Sequence, residues 1–285
     1  MKVCLACAAR FDRPGWRCPE CGAEPAENGY VDFLGDDGVG DSFPEASFEQ
    51  LAEQEQRSFW FRSRNDLIDW ALRTYFPDAR SFFELGCGTG IVLSSLHRRR
   101  PELAVAGGEP FAAGVRIARQ RMPDVPLYRV DGRRLPFEEE FDVVGAFDVL
   151  EHVDEDDHTL AQLFQATRPG GGLLVSVPQH PWLWSAVDEF SRHRRRYRAG
   201  ELATKVRAAG YRVVRTTSFV SLLLPVVALS RLRDRRKVDY DPATEYRLPR
   251  ALERVFAGTM SVERKLISAG VSLPAGSSLL MVARR

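Results

Sequence analysis

Apolar and polar positions change rhythm several times along the chain. Between Ser47 and Phe76 apolar residues recur at i, i+3 and i+4, most clearly in FWFRSRNDLIDWALRTYF, which predicts helix with one buried face. From Ser81 the rhythm shortens into compact apolar runs separated by helical segments. Phe82, Phe83 and Leu85 form the first run, Ala104 to Gly108 the second, and a third ends near Val130. FDVVGAFDV (141–149) is a fourth, nearly continuous run, and LLVSV (173–177) a fifth. Helical stretches fall between them, at 111–121 and 154–168, with PGGG predicted as the turn before the fifth. Strand and helix in alternation predict a mostly parallel, doubly wound α/β sheet. The first 46 residues lack this rhythm. From Ala23 to Glu45 the composition moves to Gly, Asp, Glu and Pro, which reads as a linker whose apolar island, GYVDFL (29–34), docks on a neighbour.

The stretch SFFELGCGTG (81–90) joins the first strand to a helix by a tight turn in which Gly86, Gly88 and Gly90 alternate with other residues. Glycines let a ligand approach the backbone, and the helix start offers free N–H groups. A dinucleotide fingerprint reads GxGxxG; GxGxG, with Glu84 two residues before the first glycine, suits a nucleoside ligand without phosphate and disfavours an oxidoreductase. Close packing of helix on strand is the plainer reading. Acids then recur at strand ends: Glu109 lies 19 residues past Gly90, a distance at which an acid reaches a ribose edge; Asp131 follows the third strand and Asp148 the fourth.

Composition adds two constraints. A formal net charge of +1 over 285 residues argues against a chain that coats nucleic acid. Four of the five cysteines form Cys4-x-x-Cys7 and Cys18-x-x-Cys21, ten residues apart, a spacing that places four thiolates around one tetrahedral zinc ion, with disulfides as the alternative. No secretory leader is visible, and the longest apolar run, Phe219 to Leu229, contains Ser221 and Pro225 and is too short to span a bilayer. A cytoplasmic protein without a transmembrane segment is expected.

Together these motifs resemble class I S-adenosylmethionine-dependent methyltransferases. ELGCGTG is similar to that family's first motif, GEP (108–110) to its ribose acid, VDGRRLPF (130–137) to its adenine-side motif, and FDVVGAFDVLEHV (141–153) and RPGGGLLVSVP (168–178) to its fourth and fifth strands. The resemblance implies a Rossmann-like sheet of seven strands, with Tyr211–Phe219 as the sixth and Ser277–Ala283 as a reversed seventh. It implies S-adenosylmethionine held by Arg64, Glu84, Gly86, Cys87, Gly88, Gly90, Glu109, Pro110, Asp131, Gly132, Phe147 and Asp148, with Glu109 on the ribose and Asp131 on the adenine. For Arg64 a solvated helix face is the alternative. The implied organisation is a zinc ribbon at 1–28, a linker at 29–46 and the methyltransferase domain at 47–285, with a helical insertion at 220–276. In that insertion FVSLLLPVVALSRLRDRRK (219–237) sets an apolar block before a basic cluster: a buried face, a substrate cap, a dimer surface or a membrane-surface contact.

A hydroxyl acceptor needs a base. Candidates are Glu151 and His152, after the fourth strand, and His180 and His193, in the aromatic and basic stretch after the fifth. Asp148, Glu151, His152 and His193 resemble the set with which small-RNA 3′-end methyltransferases hold a divalent ion, Mg2+ or another, and ubiquinone-pathway O-methyltransferases are similar. The expected activity is O-methylation of a small-molecule or lipid- or sugar-linked acceptor. Two alternatives stand beside it. The ribbon followed by ENGYVDFL is similar to the start of zinc-ribbon ribosomal RNA methyltransferases; the other is a cofactor-binding partner protein without turnover.

Overall fold

The computed structural model describes residues 1–35, 43–44, 47–55, 57–234 and 248–285. The basic end of the 219–237 segment, part of the expected linker and residues 235–247 of the insertion lie outside the described residues.

Five parallel strands form the middle of the main sheet: β5 (Ser81–Leu85), β6 (Ala104–Glu109), β7 (Leu127–Arg129), β8 (Phe141–Phe147) and β9 (Thr167–Pro178). Antiparallel β11 (Ser278–Arg284) pairs with β9 on one side and with β10 (Arg212–Phe219) on the other. At the far edge β4 (Val31–Asp32) runs parallel to β7, and β3 (Ala26–Glu27) closes the sheet. The full order is β10-β11-β9-β8-β5-β6-β7-β4-β3.

Both faces are covered, so successive residues of one strand enter opposite cores. Phe82 packs under the helices α2 (Phe59–Tyr75) and α3 (Ile91–Arg99), while Phe83 packs toward α5 (Asp156–Ala166) and α7 (Ala199–Ala208). Leu279 and Leu280 divide in the same way at the other end of the sheet. The helix α4 (Ala112–Arg121) joins the first layer through Val115 and Ala118.

Local chemistry moves several boundaries away from the sequence expectation. The helix expected over Ser47–Phe76 is two helices, α1 (Phe48–Glu55) and α2, because the Ser58 hydroxyl accepts from the Trp60 amide at 3.2 Å and starts a new helix there. PGGG is not a free turn: β9 runs through it, with a register shift against β8 between Phe141 and Val143. Among the described residues two short strands extend the expected seven: the 29–34 island docks as expected, by pairing Val31–Asp32 with β7, and Ala26–Glu27, from the end of the 1–28 segment, pairs with it in turn.

The cysteine-bearing segment is seated on this sheet. β1 (Lys2–Val3) and β2 (Arg10–Phe11) form a short hairpin, and the Val3 amide donates to the Pro136 carbonyl at 2.9 Å. Trp16 is buried edge-on against Phe33, Tyr128 and Phe137, with ring centroids 4.9, 5.5 and 5.8 Å away. Those contacts join the ribbon to the second core.

Among the described residues two helices, α8 (Leu224–Asp234) and α9 (Arg250–Ser268), stand between β10 and β11. Glu263 of α9 is fully buried, and its carboxylate accepts from the amides of Val220, Ser221 and Leu222 at 2.6, 2.7 and 2.8 Å. This grip fixes the entry to α8, where Val220 has a positive φ of 57°.

Candidate active site

The carboxyl ends of β5, β6 and β8 converge on one cavity of about 1010 Å³. Gly86 leaves β5 with φ 68°, and a Cβ there would meet Val149 Cγ2 at 2.3 Å, so only glycine makes this corner. Gly88 has φ 54°, lines the cavity, and would set a Cβ against the Phe48 ring at 3.7 Å. Glu109, at the end of β6, is buried and accepts from the Gly88 amide at 2.8 Å and the Phe111 amide at 3.1 Å. The carboxylate is thereby held rigidly beside the glycine turn, with lone pairs to spare for hydroxyl donors.

Glu84 is also buried, and its Oε2 has no hydrogen-bond partner among the described residues. Burial pushes its carboxyl well above the ordinary value, with the Arg64 charge opposing. Arg64 is buried, donates to Asp148 and lies over the Trp60 ring at 4.6 Å; its Nε likewise has no partner among the described residues. Asp148 adopts φ 58°, a conformation costly for a residue with a side chain, at the point where β8 gives way to the following turn. Buried polar atoms without partners around a positive-φ glycine turn suit a polar ligand with both donors and acceptors. S-adenosylmethionine is such a ligand, and the donor set fits it.

Of the residues implied for the cofactor, Arg64, Glu84, Gly86, Cys87, Gly88, Glu109, Pro110, Phe147 and Asp148 line the cavity. Gly90, Asp131 and Gly132 stand outside its lining. Gly90 is the N-cap of α3 in a left-handed conformation, and Asp131 turns back on its own loop. There Asp131 accepts from the Arg133 amide at 2.8 Å and pairs with the Arg133 side chain at 2.7 Å. Against the effect of burial, those bonds hold the Asp131 carboxyl below its ordinary range.

Three of the four base candidates meet. Ligand atoms of Glu151, His152 and His193 all lie within 4.8 Å of one another. The His152 and His193 rings stand nearly perpendicular at 82°, and all three residues line the cavity. Glu151 is fully buried, and apart from its own N–H neither carboxylate oxygen has a partner among the described residues. Burial first, and the neighbouring Asp148 charge second, push its carboxyl well above the ordinary 4.5.

His193 Nδ1 lies 2.9 Å from Asp188 Oδ1, and the same carboxylate accepts from Arg196 Nε at 2.7 Å and the Ser185 amide at 2.9 Å. Against burial, the bonds from His193 and Arg196 hold the Asp188 carboxyl below its ordinary range. A charged carboxylate on Nδ1 assigns the proton to that nitrogen and leaves Nε2 able to accept one. Asp188, on the short helix α6 (Ala186–Phe190), was not singled out from sequence; the available signal was its position five residues before His193.

His180 is separated from this group. Its backbone has φ 64°, its ring stacks on Trp182 at 5.7 Å, and it does not line the cavity. Burial, then the Arg196 charge, lowers its pKa.

Aromatic residues wall the rest of the site. Phe48 of α1 packs on Phe111 at 5.8 Å, and Phe43 lies edge-on to His152 at 5.7 Å. The end of α1 is tied to the glycine turn, where Thr89 Oγ1 donates to buried Glu55 at 2.5 Å and Arg121 bonds both. Val187, Phe190, Leu223, Val226, Val227 and Phe256 give the cavity an apolar wall, with Ser230, Arg231 and Arg233 of α8 also in its lining.

The four N-terminal sulfurs also lie within 4.8 Å of one another, with Cys4 to Cys21 and Cys7 to Cys18 at 3.6 Å. Thiolates at about 2.3 Å from a tetrahedral zinc ion lie about 3.8 Å apart, so this donor set fits that ion. The Cys21 amide, against the effect of burial and with help from the Glu20 amide, draws the Cys18 thiol down to about 6.

Comparison with known proteins accords with this geometry. A family model described as a methyltransferase domain matches residues 50–216. A Mycolicibacterium smegmatis protein named as a probable S-adenosylmethionine-dependent methyltransferase is 30% identical over 177 residues, 59% of this chain and 64% of its own length. Trans-aconitate 2-methyltransferase of Azoarcus sp. is 30% identical over 119 residues, 42% of this chain and 46% of its own length. The chain thus spans between about half and two thirds of these curated relatives. Among solved structures, a chain of the complex between the Haloferax volcanii Trm112 methyltransferase activator and a methyltransferase has a TM-score of 0.57 at 19% identity. That match covers 84% of this chain and 96% of the other, a likeness of fold.

Proposed function

The chain belongs to the S-adenosylmethionine-dependent methyltransferases, and from that premise we propose that it transfers the sulfonium methyl to an oxygen of an apolar small-molecule or lipid- or sugar-linked acceptor. The observation that carries this reading is the continuity of one cavity. It runs from the glycine turn and Glu109, past Glu151, His152 and His193, to the apolar side chains of α8. Bound S-adenosylmethionine supplies an electrophilic methyl group for in-line displacement. The chain's own residues supply position and proton transfer. Glu109 takes the ribose hydroxyls, while Glu84 and the Arg64–Asp148 pair flank the methionine portion. His193 Nε2 accepts the acceptor's hydroxyl proton, and Asp188 steadies the imidazolium that results. Phe43, Phe48 and Phe111 keep water from the reacting centre. The four ribbon thiolates hold a structural zinc ion.

One observation favours a second arrangement at the same place. Glu151, buried beside two imidazoles and bonded among the described residues only to its own N–H, offers with them three ligands suited to a divalent ion, which when bound would acidify an acceptor hydroxyl.

The test is incubation of zinc-loaded protein with methyl-labelled S-adenosylmethionine and a cell extract separated into lipid, small-molecule, RNA and protein fractions. Label is expected in the lipid or apolar small-molecule fraction. Label confined to RNA would contradict the acceptor class, and label in no fraction would leave a binding protein without turnover. Repeating the assay after removal of loosely bound ions separates the two arrangements: undiminished transfer favours His193 as the base, and loss reversed by magnesium favours the ion.

A further inference from the structure

The insertion that forms part of the cavity's apolar wall also presents apolar side chains to solvent. Leu229 and Leu232 of α8 are 58% and 56% exposed, and Leu222, just before the helix, is 44% exposed. α8 packs against the short turn Pro181–Leu183, whose Trp182 is 50% exposed, so an indole sits beside the same face. Val226 and Leu229 are exposed and also line the cavity, so its apolar wall reaches this face.

The sequence of the insertion is net basic: residues 220–276 carry ten basic and six acidic side chains, in a chain whose net charge is only +1. Both acids of α9 are turned inward: Glu253 accepts from the Phe59 amide and Arg62, and Glu263 grips the turn before α8. Arg233, Arg250, Arg254 and Lys265 are exposed. Among the described residues no helix is long and apolar enough to cross a membrane. A helix pair with exposed leucines, a neighbouring indole and outward arginines has the make-up of an element that lies on a bilayer surface.

We propose that α8 and its flanking arginines dock the protein on an anionic lipid surface, so that the acceptor enters the cavity from the bilayer. The proposal deepens the reading of the cavity given above and rests on it for the acceptor, while the docking itself is measured without turnover. The charge argues for this occupant over the others. A contact between two copies would set two net basic faces against each other. An RNA backbone would engage the arginines but leave the leucines in water.

Co-sedimentation of the full zinc-loaded chain with vesicles tests it. Phosphatidylcholine vesicles containing about a third phosphatidylglycerol should carry the protein down, pure phosphatidylcholine vesicles much less, and added salt should weaken the association. The double variant Leu222→Glu/Leu232→Glu, at residues that do not line the cavity, should lose partition at least about tenfold while binding S-adenosylmethionine with unchanged affinity. Parent protein that ignores anionic vesicles, or a double variant that partitions as the parent does, overturns the proposal. So does a concentration-dependent dimer that the variant dissolves, which would assign the face to a second copy. If docking holds but the labelled extract shows no lipid or apolar acceptor, the proposed acceptor fails and the membrane contact stands.

Discussion

Replacing His193 with alanine is expected to lower methyl transfer about 100- to 10,000-fold, the range over which a positioned base contributes, while leaving S-adenosylmethionine affinity unchanged. The expectation comes from the arrangement around the ring. Asp188 is fully buried and bonded to Nδ1 at 2.9 Å, so the imidazole of this cavity-lining residue is held in one tautomer with Nε2 left to accept a proton. The substitution leaves the carboxylate paired with Arg196 at 2.7 Å, which limits structural damage. Asp188→Asn should lose less than His193→Ala, because it disturbs the tautomer without removing the ring. The measurement is initial rate against acceptor at saturating cofactor, with cofactor affinity and thermal melting alongside. Full turnover in His193→Ala would remove His193 from the chemistry and pass the role to the pocket's geometry alone.

Removing the ribbon's metal is expected to have the largest effect on stability. The segment's own core holds only Cys4, Phe11 and Cys18, and its hairpin strands are two residues long. So little buried surface cannot hold a fold, whereas zinc contributes about 10–16 kcal/mol to zinc-finger peptides at neutral pH. Chelation should therefore release a zinc equivalent, unfold the hairpin and free Trp16 from Phe33, Tyr128 and Phe137. The red shift of Trp16 emission and faster amide exchange at β4 and β7 would report it. The central strands pack through contacts the ribbon does not make, so they should stay protected. A Trp16 environment indifferent to chelation would mean that the four thiols need no metal.

What could be read from the chain before its structure follows from how local each signal is. The turn at Gly86–Gly90, the acid at Glu109 and the strand over 141–147 were legible because each rests on residues within one strand–turn–helix unit, where period and φ requirements act directly. The paired CxxC knuckles were legible for the same reason. Contacts set by the path of a loop were not. His180 and His193 lie in one stretch of suggestive composition, yet a positive φ at His180 turns its ring onto Trp182, while Asp188 brings His193 to the cavity. Asp131 carries the expected acid at the expected place, but Arg133, two residues on, engages it. That the 29–34 island docks was legible from its apolar residues, but its pairing with β7 was not, since an edge strand of two residues has no period of its own. Trp16 gave no sign of its partners, all distant in sequence.

The central claim is that an adenosyl sulfonium lies along the sheet edge with its ribose on Glu109. Calorimetric titration of zinc-loaded protein with S-adenosylmethionine tests this most directly, run in parallel on the Glu109→Ala variant. Saturable binding by the parent, weakened about tenfold or more in the variant, is the predicted result. No heat from the folded parent, or equal affinity in the two proteins, would contradict it.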